Sequence, residues 1–128
     1  MLADNFFKTT LFNLEKTEGA EQQLHAVVIL EPDHQIFSGH FPGNPVVPGV
    51  TQVQMVKELV EKALNHPLRL YESDNIKFLS MIDPRSTSRL ELAIGIRNIA
   101  DNNYAVNAVI ASGDKVFFKF KGKFELEN

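Results

Sequence analysis

The sequence predicts an α+β chain in which an antiparallel sheet of about six strands wraps around one helix, as a single domain over residues 1–128. Three observations carry that reading. Six segments alternate in hydrophobicity or run apolar between clusters of turn-forming residues. A single segment, 50–64, repeats its apolar residues at three-and-four spacing. Most successive strand segments are joined by short turns, which suits an antiparallel sheet, because parallel strands need long crossovers.

Residues 9–17, TTLFNLEKT, form the first predicted strand, and EGAEQ turns the chain around Gly19. In QLHAVVILE, Leu24, Ala26, Val28 and Leu30 share one face, and His25, Val27 and Ile29 the other. Both faces are largely apolar, so this strand is expected to be covered on two sides until Pro32 ends it. The helix carries its stripe on Val50, Val53, Val56, Leu59, Val60, Ala63 and Leu64, with Met55 flanking it. Thr51, Gln54, Lys57, Glu58 and Glu61 make its polar face, and residues 65–67 stop it. Strands are predicted at 68–79, 87–97, 103–112 and 115–126. Turn chemistry separates them at Asp83-Pro84-Arg85, Asp101-Asn102-Asn103 and Ser112-Gly113-Asp114. The last strand sets Phe118, Phe120, Phe124 and Leu126 against Lys119, Lys121, Lys123 and Glu125. Such a sheet leaves edges and an outer face, so a dimer is expected.

Composition narrows the function classes. With 44% hydrophobic and 23% charged residues, the chain is a folded domain with a modest core. A net charge of -3 gives no general attraction to nucleic acid. No cysteine is present, which excludes disulfides, thiolate metal sites and cysteine nucleophiles. His25, His34 and His66 are scattered without ligand spacing, so no metal is expected. No segment is apolar enough to span a bilayer; a soluble, cytoplasmic protein without a membrane partner is the expectation.

The chemistry concentrates in residues 39–49, GHFPGNPVVPG, directly before the helix. Its prolines each fix a φ angle and its glycines admit angles that other residues avoid, which leaves the loop few alternative conformations. Pro48-Gly49 opens the helix, whose first N–H groups lack internal partners and lie at the positive end of its dipole. A glycine there permits close approach, and a carbonyl oxygen gaining negative charge would be stabilised, as in an oxyanion hole. His40 exchanges protons near neutrality. A base beside a carbonyl-polarising site is the equipment for removing a proton α to that carbonyl. The plainer alternative is a structural loop with a solvated histidine, and spacing alone leaves both open.

The segment GHFPGNPVVPGV resembles the signature of the 3-hydroxyacyl-acyl carrier protein dehydratases, which have the hotdog fold. The pattern is met at His40, Phe41, Pro42, Pro45, Pro48, Gly49 and Val50, and IKFLSMIDPRS is similar to a later strand and turn of the family. The resemblance implies a hydro-lyase converting 3-hydroxyacyl thioesters to trans-2-enoyl thioesters in fatty-acid, lipid A or polyene-type synthesis. It implies His40 as the catalytic histidine, the Gly49 N–H as donor to the thioester carbonyl, and the carbonyl near Val46 as orienter of the imidazole. Phe41, Val46, Pro48 and Val50 would line the substrate site. No resident cofactor is implied, because phosphopantetheine arrives with the substrate on acyl carrier protein or CoA. The implied assembly is a homodimer, or a trimer of such dimers.

One departure matters. The family's helix Glu or Asp, fourteen residues after the histidine, is Gln54 here. Gln can hydrogen-bond a hydroxyl but has no titratable proton to give. Glu58 and Glu61, one and two turns on, are the nearest carboxylates in sequence. The departure keeps two alternatives open: a non-catalytic acyl- or carrier-binding protein or silent subunit, and, less favoured, a hotdog thioesterase. Lys119, Lys121 and Lys123, with Lys77, Arg85 and Arg89, are candidates for docking an acidic carrier; a solvated face is the plainer reading.

Overall fold

The computed structural model describes residues 6–16, 21–34 and 45–127. The elements run β1 (Phe7–Lys16), β2 (Glu21–Leu30), α1 (Gly49–Leu64), β3 (Leu68–Phe78), β4 (Arg89–Ala100), β5 (Asn103–Ser112) and β6 (Lys115–Leu126). The strands form one sheet in the order β1-β2-β4-β5-β6-β3, and every neighbouring pair is antiparallel. β2 and β4 are neighbours although α1 and β3 lie between them in sequence. The excursion through α1 therefore carries the chain to the opposite edge, where among the described residues β3 pairs with β6 alone. The predicted antiparallel sheet around a central helix is the observed hotdog architecture.

The turns form where the local chemistry asks for them. Asn102 (φ 64) reverses the chain between β4 and β5, and Gly113 (φ 59) does so between β5 and β6. Both occupy the left-handed region that Gly and Asn enter most readily. Asp83 folds its own turn: its Oδ1 accepts from the Arg85 N–H at 2.9 Å, and its carbonyl accepts from the Thr87 N–H at 2.8 Å.

The core is one cluster. Met55, Val56, Leu59 and Val60 of α1 pack with Leu24, Val28 and Leu30 of β2, Leu90, Leu92 and Ile94 of β4, and Phe118, Phe120 and Phe124 of β6. The three rings of β6 follow one another at 6.3 and 6.1 Å, as the alternation of that strand predicts. Gly122 sits beside them because a Cβ there would lie 2.5 Å from the Phe120 ring and 2.9 Å from the Glu72 carbonyl oxygen.

Three expectations need correction. Val50, placed on the apolar stripe, is 78% exposed, and Met55, placed beside it, is fully buried. Thr51 and Glu58, placed on the polar face, are buried, as is Gln52. The sheet covers a broader arc of the helix than an apolar stripe marks; Glu58 meets Gln54 there, and Gln52 meets the Val47 carbonyl through its Nε2 alone. Finally, β2 is covered fully on one side only, since His25 is exposed and Ile29 half-buried. Among the described residues no helix is long and apolar enough to cross a membrane.

Candidate active site at the start of the helix

Helix α1 begins without a side-chain cap. Pro48 occupies the cap position in extended conformation (φ -61, ψ 149), offers no side-chain hydrogen bond, and is followed by no acidic residue in the first turn. The N–H groups of Thr51 and Gln52 donate to the Pro48 carbonyl at 3.1 and 3.2 Å. Among the described residues, the N–H groups of Gly49 and Val50 have no partner. Two donors at the positive end of the helix dipole thus remain available to an external acceptor.

Gly49 is glycine here for reasons of space. A Cβ would lie 2.6 Å from Cζ of Phe78, so the ring of the last residue of β3 lies directly against the first residue of the helix. Phe78 also meets Phe118 at 5.3 Å between centroids, which extends the β6 ring series to the helix start. A cavity of about 560 Å³ opens beside it, lined by Val46, Pro48, Gly49, Gln52, Phe78 and Met81 among others. Val47 anchors this rim by donating its N–H to Ile82 at 2.9 Å. Gln52 donates Nε2 to the Val47 carbonyl at 3.2 Å, while its Oε1 is buried without a partner.

A second cavity, of about 640 Å³, lies between α1 and β1 and includes Phe7, Gln54, Glu58, Glu61, Lys62 and His66 in its wall. Gln54, half-buried, donates Nε2 to Oε2 of Glu58 at 3.0 Å. Glu61 Oε2 accepts the Leu68 N–H at 2.7 Å, which ties the end of the helix to the start of β3.

The structure therefore brings Val46, Pro48 and Gly49 to one cavity and puts Gln54 in the wall of the other. Val50 is exposed and lines neither. His40 and Phe41 lie outside the described residues. Gln52 and Phe78 enter the first cavity although neither was assigned to the site from sequence. Gln52 follows Thr51 in the first turn of the helix, where polar residues are ordinary, so nothing local marks it. Phe78 lies in the family-like segment IKFLSMIDPRS, but its approach to Gly49 is a contact between β3 and α1.

Several candidate docking cations are already engaged. Lys123 bonds Glu72 at 2.5 Å and lies 3.7 Å from Asp74. The hydrogen bond to Lys123 holds the Glu72 carboxyl below its ordinary range and raises the ammonium in turn. Arg85 bridges to Asp83 at 3.0 Å, which likewise holds the Asp83 carboxyl low, and Arg89 bridges to Glu91 at 2.9 Å. Lys77, Lys119 and Lys121 have no ion pair among the described residues. Lys77 stands directly opposite Lys119 across β3 and β6.

An antiparallel sheet wrapped around one buried helix is the architecture of a hotdog protein. The family is then set by sequence: the family model for ApeI-like proteins, described as ApeI dehydratase, matches residues 15–116. The chain belongs to the ApeI-like dehydratase family. It is 37% identical over 76 residues to the 3-hydroxyacyl-acyl-carrier-protein dehydratase FabZ of Thermomicrobium roseum, covering 54% of this chain and 49% of that one. The chain spans about half the length of several of the curated relatives it matches. Among solved structures, a protein of Erwinia carotovora subsp. atroseptica superposes with a TM-score of 0.70 at 25% identity, over 94% of this chain and 95% of that chain. The dehydratase heterocomplex ApeI:P of Xenorhabdus doucetiae superposes at 0.64 and 18% identity, over 92% and 96%, a likeness of fold.

Proposed function

We propose that this protein dehydrates 3-hydroxyacyl thioesters carried on acyl carrier protein or CoA. The single observation that carries the reading is the uncapped start of α1, where the Gly49 N–H stands open at a cavity of about 560 Å³ and the next N–H, that of Val50, is also unpartnered among the described residues. A thioester oxygen placed there gains negative charge as the α-proton leaves, and the two amides stabilise it without having to reorient. His40, by its place in the motif, takes the α-proton. The same proton then passes from the imidazolium to the β-hydroxyl; the C–O bond breaks, the Cα–Cβ double bond forms, and water departs. Within one chain Gln54 lines the other cavity, so it is the Gln54 of a paired hotdog chain that would position the hydroxyl, since its amide hydrogen-bonds but supplies no proton.

The site is best completed by a second hotdog chain. Val50, Phe78, Leu79 and Met81 expose apolar side chains around the helix start and the end of edge strand β3, more than such a strand ordinarily leaves bare. Pairing there, with a second copy or a related chain, would cover these groups and wall the acyl path. Lys77, Lys119 and Lys121, without an ion pair among the described residues, are cations an acidic carrier would meet.

The test is incubation with 3-hydroxyacyl thioesters of several lengths while following the conjugated enoyl absorbance. Turnover is expected, with a fall of about 10²–10⁴ in His40→Ala. No turnover, or equal rates in wild type and His40→Ala, ends the reading. A second reading, a silent acyl-binding subunit, is favoured by one observation: Gln54 stands where a carboxylate is expected. It predicts acyl-thioester affinity without dehydration, and dehydration on Gln54→Glu.

A further inference from the structure

The pair formed by Gln54 and Glu58 has a directional consequence. A glutamine side chain can present either its carbonyl or its NH2 to a neighbour, and the two ends are ordinarily hard to tell apart. Against an ionised carboxylate only one orientation makes a hydrogen bond, because a carboxylate accepts and cannot donate. Gln54 Nε2 donates to Glu58 Oε2 at 3.0 Å, one helical turn away, where the two side chains lie on the same face. Glu58 is only 5% exposed, so water competes little for that bond, and bonds to charged groups are stronger than neutral ones. The end of the amide left over is the carbonyl. Gln54 Oε1 has no hydrogen bond among the described residues and is not a buried orphan, and both residues line the same cavity of about 640 Å³.

We infer that Glu58 is a positioning residue which pins Gln54 with its carbonyl oxygen outward, so that Gln54 recognises a ligand group that donates a hydrogen bond. Resting on the proposed function, the group is the β-hydroxyl of a 3-hydroxyacyl thioester, which would donate its O–H to Gln54 Oε1. A protonated carboxylic acid at that position would do the reverse and donate to the hydroxyl oxygen. Here Gln54 holds the hydroxyl in place and selects for it. Saturated and enoyl thioesters of the same length lack the donor and gain nothing from Gln54.

The experiment compares binding of a 3-hydroxyacyl thioester with that of the saturated thioester of equal length, by calorimetry in a His40→Ala background that suppresses turnover. Tighter binding of the hydroxyacyl form by about 3- to 10-fold is expected, the contribution of one neutral hydrogen bond. Glu58→Ala and Gln54→Ala should each bring the ratio to one, and the double variant should do no more than either. Glu58→Gln keeps the volume and an acceptor but removes the charge that sets the direction, and should lower the ratio in part. A ratio unchanged in Glu58→Ala, or an effect of Glu58→Ala that persists in full without Gln54, overturns the inference. Should the alanine variant not fold, Glu58→Gln decides, and an unchanged ratio there overturns it. A flat ratio in the His40→Ala background, with turnover by the wild-type protein, would end the inference and leave the proposed function. Discrimination in that background, with no turnover by the wild-type protein, would do the opposite.

Discussion

The two ends of helix α1 are built differently. At the C-terminal end, Asn65 adopts the left-handed conformation (φ 55, ψ 44), and the N–H groups of Asn65 and His66 both return to the Glu61 carbonyl. The Glu61 side chain takes the Leu68 N–H at 2.7 Å, and Lys62 places a cation in the last turn. Every feature there answers the need of a helix end for partners. At the N-terminal end there is no capping side chain and no acidic residue, and the Gly49 and Val50 amides stay open among the described residues. A helix optimised for stability alone would begin with Ser, Thr, Asp or Asn. The difference teaches that the start of α1 is left uncapped at a cost in helix stability, as the proposed thioester site requires.

The largest effect is expected from making the first end resemble the second. Pro48→Asp would install a carboxylate cap in the extended conformation already present. The cap would contribute about 1 kcal/mol, offset in part by about 0.4–1 kcal/mol from the lost proline rigidity. Stability in urea should therefore change little while dehydration falls by about 10² or more, because a resident carboxylate takes the N–H of Val50 or Thr51 and sets a negative charge beside the Gly49 N–H. Unaltered turnover would remove the start of the helix from the mechanism. Next in size, Glu61→Ala unmakes the other end: it strips the partner from the N–H of the fully buried Leu68 and should cost about 1–3 kcal/mol in urea unfolding. The smallest effect belongs to Asn65→Gly, which keeps the left-handed turn and should change stability by only a few tenths of a kcal/mol. A loss of several times that would mean the Asn side chain, and not its backbone angle, holds the turn.

The elements most legible in the sequence are those set by neighbours along the chain. The β6 alternation of Phe118, Phe120 and Phe124 against lysines read directly as one buried and one outer face, and Asn102, Gly113 and Asp83 marked their turns. The stop after Leu64 was equally plain. The helix itself was legible, but its buried arc was not. Hydrophobicity put Val50 inside and Glu58 outside, whereas Glu58 finds Gln54 as a partner and Val50 stands beyond the covering sheet. Lys123, Arg85 and Arg89 likewise read as free cations until their carboxylates came into view.

By itself the sequence determined the alternation that makes the strands, the spacing that makes one helix, and a loop motif specific enough to name a family, since all three depend on residues close together in the chain. Only the tertiary structure decided which edge β3 occupies, that the Phe78 ring rather than empty space lies against Gly49, and that Gln54 is tethered to Glu58. Those facts depend on strand order and on the rotation of the helix against the sheet. Each is the outcome of packing the whole core at once, so no short stretch of sequence encodes it.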